Sequence, residues 1–416
     1  MNPKRVLIVS PWAPLPFDGG SKRVWSLCRF LKGRCRFTLL TFKRPDDQDS
    51  SAHALDLANE HRYLRPVFDE IYWVDRPREP CPERLENVWL PKDVQSFYGK
   101  EMAAALAEIV GRGETDLVHV EFDLMAPYAA AISGVPKIWT MHDVGAISFF
   151  QSYFREMKGL GKFRRIPHWI ARVAYEKKAA SWFDHVVTLT EADRRRFSLI
   201  CPRRKISVVS SGVDLDHFSG NEAAAFRATD AIVYVGHYAH YPNEDAVVYF
   251  CREILPLIRR RFPSIVFNVV GSVPTRPVRE LPGKYPHVFV TGLVEDVKPY
   301  LRGAKVFVAP VRIGQGIKGK ILEAFAMGLP VVASSRAAEG ITAMPGRDLL
   351  VADDPRKFAD AVCGLLESPA ARERLGKAGQ TVAQGRYGWD RLSDQLDAVY
   401  TEVIAAHAAG KEQTAA

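Results

Sequence analysis

APVRIGQGIKGKILEAFAMGLPVVA, residues 309–333, reads as the end of an apolar strand (Lys305 to Ala309), a glycine-rich turn, a helix from about Ile317 to Met327, and a second apolar strand from Pro330 to Ala333. The turn carries Gly314, Gly316 and Gly319. Glycines let a backbone approach a ligand closely, and the first free N–H groups of a helix, at the positive end of its dipole, favour an anion. Lys320 and Glu323 stand three apart and share one helix face. Lys320 can then meet a phosphate while Glu323, acceptor-only when ionised, takes two hydroxyl hydrogens from a sugar such as ribose. The unit has the makings of a nucleoside diphosphate site. The same residue types also occur in ordinary α/β turns with a solvated Lys/Glu face, so the rest of the chain has to decide between the two.

Working outward, strand-length apolar runs alternate with helical stretches on both sides. In the first half the runs are Arg5 to Ser10, Arg36 to Phe42, Glu70 to Val74, Leu117 to Val120, Lys137 to Thr140, His185 to Leu189 and Lys205 to Val209. In the second they are Ile232 to Val235, Ile265 to Val270, Val288 to Thr291, Lys305 to Ala309, Val331 to Ala333 and Leu349 to Val351, before closing helices at Pro355 to Leu366, Ala370 to Gln384 and Trp389 to Ile404. Helices are also expected at Ser21 to Leu31, Lys100 to Val110, Glu191 to Leu199 and Asn243 to Arg261. Alternation at this pitch predicts an α/β protein of two doubly wound parallel sheets facing a central cleft. The polar turn SSGVDLDHF, Ser210 to Phe218, marks the linker. That gives a first domain of residues 1–212 and a second of 213–388.

Loops past the carboxyl ends of strands are where such folds place ligands. Gly19 and Gly20, ending the loop PWAPLPFDGG after the first strand, read either as a contact to an acceptor or diphosphate or as a plain tight turn. His142, in WTMHDVG, falls just past a strand end and suits a hydrogen bond to a sugar hydroxyl. His119, in LVHVE, alternates within an apolar strand and reads as a hydrogen-bonded core histidine. Asp214 and Asp216 invite a metal reading but sit among turn residues, which aspartates favour for local reasons, and no metal site is expected there.

Composition fits this frame. The chain has 416 residues, 47% hydrophobic and 25% charged, enough for two ordinary domains. The longest apolar runs are strand-length, short of the ~18 residues a membrane span needs. The first residues pass from Lys4-Arg5 into a strand with no h-region, and six scattered cysteines lack metal or paired spacing. Both features lead to the expectation of a cytoplasmic protein. The net charge of +9 calls for an acidic partner. No nucleic-acid motif accompanies it. Basic residues concentrate instead in 154–178, where Arg155, Lys158, Lys162, Arg164, Arg165, Arg172, Lys177 and Lys178 interleave with Phe154, Leu160, Phe163, Ile166, Trp169 and Ile170. This segment reads either as a peripheral contact with an anionic membrane, gaining ~1 kcal/mol per cation, or as an ordinary solvated helix and loop.

Taken together, GIKGKILEAFAMGLPVVAS, YVGHYAHYPNEDAVVYF, NVVG, VTGLVEDVKPYLRGAKVFVAPVR and SSGVDLDHF resemble the GT4 (group 1) glycosyltransferases, and among them the bacterial branch associated with exopolysaccharide assembly. The resemblance implies a GT-B fold, an enzyme, and retaining transfer of a sugar from a UDP-, GDP- or dTDP-linked donor to a hydroxyl acceptor without cofactor or metal. A lipid-linked glycan at the inner face of the cell membrane is one such acceptor. It also implies that Glu323 holds the ribose and that Lys320 and the N–H groups of Gly316, Ile317 and Lys318 take the diphosphate. Gly314, Gly236 and His237 join the donor site, His142 touches the donor sugar, Gly19 and Gly20 form the N-terminal loop, and the backbone of Gly292-Leu293-Val294 approaches the base. The last helix, 389–405, is expected to cross back onto the first domain.

Two departures stand out. Eight positions before Glu323, where the family has a second glutamate, stands Gln315, which cannot stabilise positive charge as an anion would. The family's Arg and Lys after the second domain's first strand are missing, and His237 follows Gly236 instead. Lys320, with Arg312, is therefore expected to supply the phosphate charge. A nucleotide-sugar epimerase and a non-catalytic nucleotide-sugar-binding protein remain alternatives on the same fold. A nicotinamide dehydrogenase is disfavoured because no GxGxxG follows either opening strand.

Overall fold

A computed structural model of the chain describes residues 2–17, 19–43, 62–77, 90–150, 166–219 and 230–415. The apolar runs all become strands: β1 (Lys4–Ser10), β2 (Cys35–Phe42), β3 (Glu70–Val74), β4 (Leu117–Glu121), β5 (Lys137–Met141), β6 (His185–Thr188) and β7 (Ile206–Val208), then β8 (Ala231–Val235), β9 (Val266–Val270), β10 (Val288–Gly292), β11 (Val306–Ala309), β12 (Val331–Ala333) and β13 (Leu350–Val351). They form one sheet in the order β3-β2-β1-β4-β5-β6-β7 and another in the order β10-β9-β8-β11-β12-β13. Every pairing is parallel. Strands covered on both faces need no polar alternation, which is why these runs are nearly continuous in Val, Ile, Leu and Phe.

Each sheet has its own core. One is built on Leu7, Val9, Leu40, Val118, Trp139 and Val186, the other on Ile232, Tyr234, Phe250, Phe267, Phe307 and Phe325. The chain packs as two units, Met1–Ser210 with Leu392–Ala416, and Ser211–Arg391. The last helix, Trp389–Ala415, returns to the first unit for chemical reasons. Lys4 pairs with Asp397 at 2.7 Å, Arg34 with Asp394 at 2.7 Å and Lys205 with Glu402 at 2.8 Å, and the Tyr400 hydroxyl reaches His119 Nδ1 at 2.7 Å.

Several helices differ from the expected ones, and the last runs on past Ile404 to Ala415. The first helix, Gly19–Leu31, takes in both glycines, so they form its first turn rather than a turn before it. The glycine-turn helix starts at Gly319, because Gly314 and Gly316 adopt positive φ (91° and 76°) and hold the chain out of the helical region until then. The expected helix Asn243 to Arg261 is interrupted. It runs Tyr241–Tyr249, widens to a π turn at Phe250–Ile254 and resumes at Leu255–Arg259, where Pro256 supplies no N–H to an α ladder. Asp214 accepts from His217 N at 3.0 Å, a local turn role. No helix among the described residues is long and apolar enough to cross a membrane.

At the carboxyl ends of β8 and β9 the backbones nearly touch. A Cβ on Gly271, whose φ is +132°, would stand 1.9 Å from the Gly236 carbonyl oxygen. Gly271→Ala should therefore destabilise the second unit by about 2–4 kcal/mol, read as an earlier denaturant midpoint, whereas Gly283→Ala, with nothing within 4 Å, should stay near wild type.

Candidate active site

In both sheets the winding reverses beside the first strand, between β1 and β4 and between β8 and β11. Helices leave such a point in opposite directions and open a crevice at the strands' carboxyl ends. The sequence motifs fall at these two points.

In the second unit the residues after β8 and those after β11 are joined by a small polar cluster. Lys320 Nζ donates to Asn243 Oδ1 at 2.6 Å and to Tyr234 Oη at 2.9 Å, and lies 4.3 Å from the Tyr234 ring centre. Tyr234 donates to the same Asn243 oxygen at 2.8 Å, and Asn243 Nδ2 donates to the His237 carbonyl at 2.8 Å. The residue as a whole is half-buried but its ammonium is enclosed. Burial, with Lys318 adding and Glu323 opposing, pushes its pKa down to about 7. An ammonium has three N–H donors, and these two hydrogen bonds leave room for an anion. The helix Gly319–Ala326 follows Lys318 at its N-cap, whose side chain makes no capping hydrogen bond. The Lys318 ammonium instead turns back on the loop, donating to the carbonyls of Gln315 at 2.6 Å and Gly316 at 3.1 Å.

Arg312 takes another course than the one expected. Its guanidinium is held by both oxygens of Asp245 and lies 4.1 Å from the Tyr249 ring centre. A planar fork matched by a carboxylate has its best partner already, so the ammonium groups at this turn are those of Lys320 and Lys318. His237 is exposed, with Nδ1 at 2.8 Å from Ser272 Oγ. Gly236 is pinned by its N–H to the Val270 carbonyl at 2.9 Å. Glu323 is half-buried, and Val294 packs partly against the core while its neighbour Leu293 is exposed.

In the first unit His142 lies past β5 with Nε2 at 2.8 Å from Glu121 Oε2, and its ring stacks on Phe122 at 3.7 Å and 8°. Gly20 meets this pair: a Cβ there would stand 2.9 Å from Phe122 Cζ and 3.2 Å from His142 Nδ1. Gly19 has open space around it. The structure thus brings Gly20 and His142 together, with Glu121 and Phe122, which the sequence reading passed over. One signal was present: a charged residue closing the apolar strand LVHVE, at the end where ligands bind. His119 is the core histidine expected, 1% exposed and bonded to Tyr400 Oη and Thr140 Oγ1 at 2.7 Å each. Burial pushes its pKa down to about 4, so it is neutral near pH 7.

Of the basic segment 154–178, Phe154 to Arg165 lie outside the described residues. The described part is the helix Ile166–Ala180, on which Ile170 is exposed. Arg172 is no surface cation: it pairs with Asp93 at 2.9 Å, with Asp123, and with Glu176 at 3.5 Å. Carboxylates on neighbouring elements surround it.

Comparison with known proteins fits this geometry. A family described as Glycosyltransferase Family 4 matches residues 17–217, and one described as Glycosyl transferases group 1 matches residues 229–368. The D-inositol 3-phosphate glycosyltransferase of Kribbella flavida is 30% identical over 363 residues, 78% of this chain and 80% of that protein. The phosphatidyl-myo-inositol mannosyltransferase of Mycobacterium tuberculosis is 29% identical over 208 residues, 47% of this chain and 53% of that one. Among solved structures, sucrose-phosphate synthase from Thermosynechococcus elongatus aligns with a TM-score of 0.68 at 19% identity, covering 97% of this chain and 100% of its own. The Anabaena protein HepE, solved with UDP and glucose, aligns at 0.63 and 12%, covering 96% and 100%. The fold is therefore GT-B, with two Rossmann-like domains. The chain belongs to the group 1, family 4 glycosyltransferases.

His119 gives a structural test within this site. Tyr400→Phe would leave a buried imidazole nitrogen without its partner and should cost about 1–3 kcal/mol, seen as a lower denaturant midpoint.

Proposed function

We propose that the protein is a retaining glycosyltransferase that moves a sugar from a nucleoside diphosphate donor to a hydroxyl acceptor in the assembly of surface polysaccharide or glycoconjugate. One observation carries the donor half of this reading: a helix N-terminus whose N-cap side chain makes no capping bond, with the Lys320 ammonium beside it, at the switch point of the second sheet. Backbone N–H groups and one cation are the groups that stabilise a departing diphosphate. Glu323, on the helix face shared with Lys320, takes the ribose hydroxyls, and the Gly314 to Lys318 turn the phosphates. Gln315 leaves that turn without a second carboxylate. In the first unit the one carboxylate among these residues, Glu121, is 1% exposed and too deep to attack an anomeric carbon. The acceptor hydroxyl's proton then passes to an oxygen of the leaving phosphate as the new glycosidic bond forms. His142 hydrogen-bonds a sugar hydroxyl. No metal is needed, because Lys320 and the helix supply the positive charge.

The relatives named above for inositol phosphate and phosphatidylinositol support an acceptor that is a polyol or a lipid-linked glycan. A cytoplasmic site at the inner face of the membrane, reached through 154–178, belongs to the same reading.

The donor nucleotide is found by thermal shift against UDP, GDP, dTDP and ADP. A binder at a hundred times its Kd adds about 2.7 kcal/mol to the unit that holds it, and no shift with any of them sinks the reading. Lys320→Ala should fold but bind the donor more weakly and turn over about 10²- to 10³-fold more slowly, and turnover near wild type discards its role.

The same lysine sets a pH dependence. Its pKa without ligand is pushed below the ordinary value, and a bound diphosphate raises it by stabilising the ammonium. Below pH 7 the ammonium is present in both states and binding is at full strength. Above about pH 7 binding must take up a proton, so affinity for a nucleotide sugar should fall by up to about tenfold per pH unit, and Lys320→Gln should flatten the curve. Titration calorimetry across pH 6 to 9 reads this directly.

A further inference from the structure

Glu121 closes β4 with only 1% of its surface exposed. Three groups that can carry positive charge surround its carboxylate: Arg23 Nη1 at 3.5 Å, His119 Nε2 at 3.5 Å and His142 Nε2 at 2.8 Å. They arrive from the helix Gly19–Leu31, from β4 itself and from the segment after β5, while Cys28 and Tyr400 complete the surroundings. Burial alone would raise the carboxyl's pKa, but the imidazoles and the guanidinium outweigh it and hold the group well below the ordinary carboxylate range.

The directional bonds are not shared equally. His119 uses Nδ1 on Tyr400 and Nε2 on Thr140. Arg23 donates through Nη2 to the Val209 carbonyl at 2.9 Å, and its Nε and Nη1 make no hydrogen bond among the described residues. Among these residues the hydrogen bond to Glu121 comes from His142. This carboxylate offsets the buried Arg23 guanidinium and also accepts its hydrogen bond from one ring nitrogen, that of His142. The ring is held on its face as well. Phe122, in the left-handed region at φ +68°, lies parallel to it at 3.7 Å, and the bare Gly20 admits that stack.

We propose that Glu121 is a positioning residue for sugar transfer: it fixes the His142 ring with Nε2–H donating inward, so that Nδ1, on the Gly20 side, is the nitrogen offered to the sugar. The proposal rests on the reading that His142 contacts the sugar, and it assigns which atom does so. A carboxylate behind an imidazole selects the tautomer and stabilises the ring's charge when the outer nitrogen takes up a proton. Glu121 acts only through His142, since no sugar atom can reach it.

The first test needs no substrate. In the full chain carrying ¹⁵N-imidazole histidine, the His142 signals, identified by their loss in His142→Asn, should show the Nε2–H tautomer at neutral pH with a downfield-shifted Nε2 proton. In Glu121→Gln that proton should move upfield and the ring should titrate about one pH unit lower. A His142 ring protonated on Nδ1 alone in the wild-type protein overturns the proposal even if Glu121→Gln fails to fold. The second test uses release of nucleoside diphosphate from UDP-glucose, GDP-mannose and dTDP-glucose. Glu121→Gln and His142→Asn should each lower kcat about a hundredfold with KM within about threefold, and the double variant should lose no more than the worse single one. Losses that multiply, or a Glu121→Gln enzyme with wild-type kcat and pH profile, overturn it. Should wild type itself release nothing from any donor, the transfer reading fails, while the tautomer still decides the role of Glu121.

Discussion

A parallel sheet that winds first one way and then the other must leave one gap between neighbouring strands that no connection covers. Both sheets of this protein have that gap beside their first strand, and nearly every residue of functional interest borders it. The constraint is topological before it is chemical. Once β1 and β4, or β8 and β11, lie side by side with their crossovers diverging, whatever follows those strands faces the opening. In the first unit the glycines after β1 and the carboxylate ending β4 need no further device to meet there, and in the second the turn after β11 comes beside the end of β8 for the same reason.

Two ionisable groups enclosed at these points are treated in opposite ways. Glu121 lies among cationic and cation-capable neighbours and keeps its charge. Lys320 lies enclosed against a phenol and an amide, and burial together with the charge of Lys318 outweighs the opposing Glu323, so it holds its proton loosely. Burial penalises both charged forms, and the neighbours alone decide the outcome. The first group already has its partner and orders what touches it. In the second, the nearby Glu323 does not make up for burial and Lys318, and a strongly shifted group beside the strand ends is a candidate for a functional site.

The sheets were legible because strands buried on both faces must be apolar throughout, and thirteen such runs stand out between helical stretches. The glycine turn was legible because positive φ at Gly314 and Gly316 leaves little choice of residue. Helix starts were less so. A pattern of apolar spacing shows a helix face but not where the backbone first turns helical, and the π turn at Phe250–Ile254 leaves that spacing almost unchanged. Side-chain partners across long separations were the least legible. Arg312 reads as a phosphate ligand until Asp245, 67 positions earlier, is found against it, and Arg172 reads as a surface cation until Asp93, 79 positions earlier, closes on it. Tyr234 inside an apolar strand gave no sign that its hydroxyl would meet a lysine.

The closing helix carries a consequence for how the molecule comes into being. The first unit is completed by Leu392–Ala416, so its amino-terminal sheet leaves the ribosome lacking a wall, and the whole second unit is synthesised before that wall arrives. Until then the floor under β1 and β4, where Tyr400 meets His119, stays wet, and the ion pairs of Lys4 and Arg34 have no partners. The strand and loop that carry Lys4 and Arg34 are thus fastened by a helix made 360 or more residues later, and losing the turns that carry Asp394, Asp397 and Tyr400 would remove the seal of the unit made first.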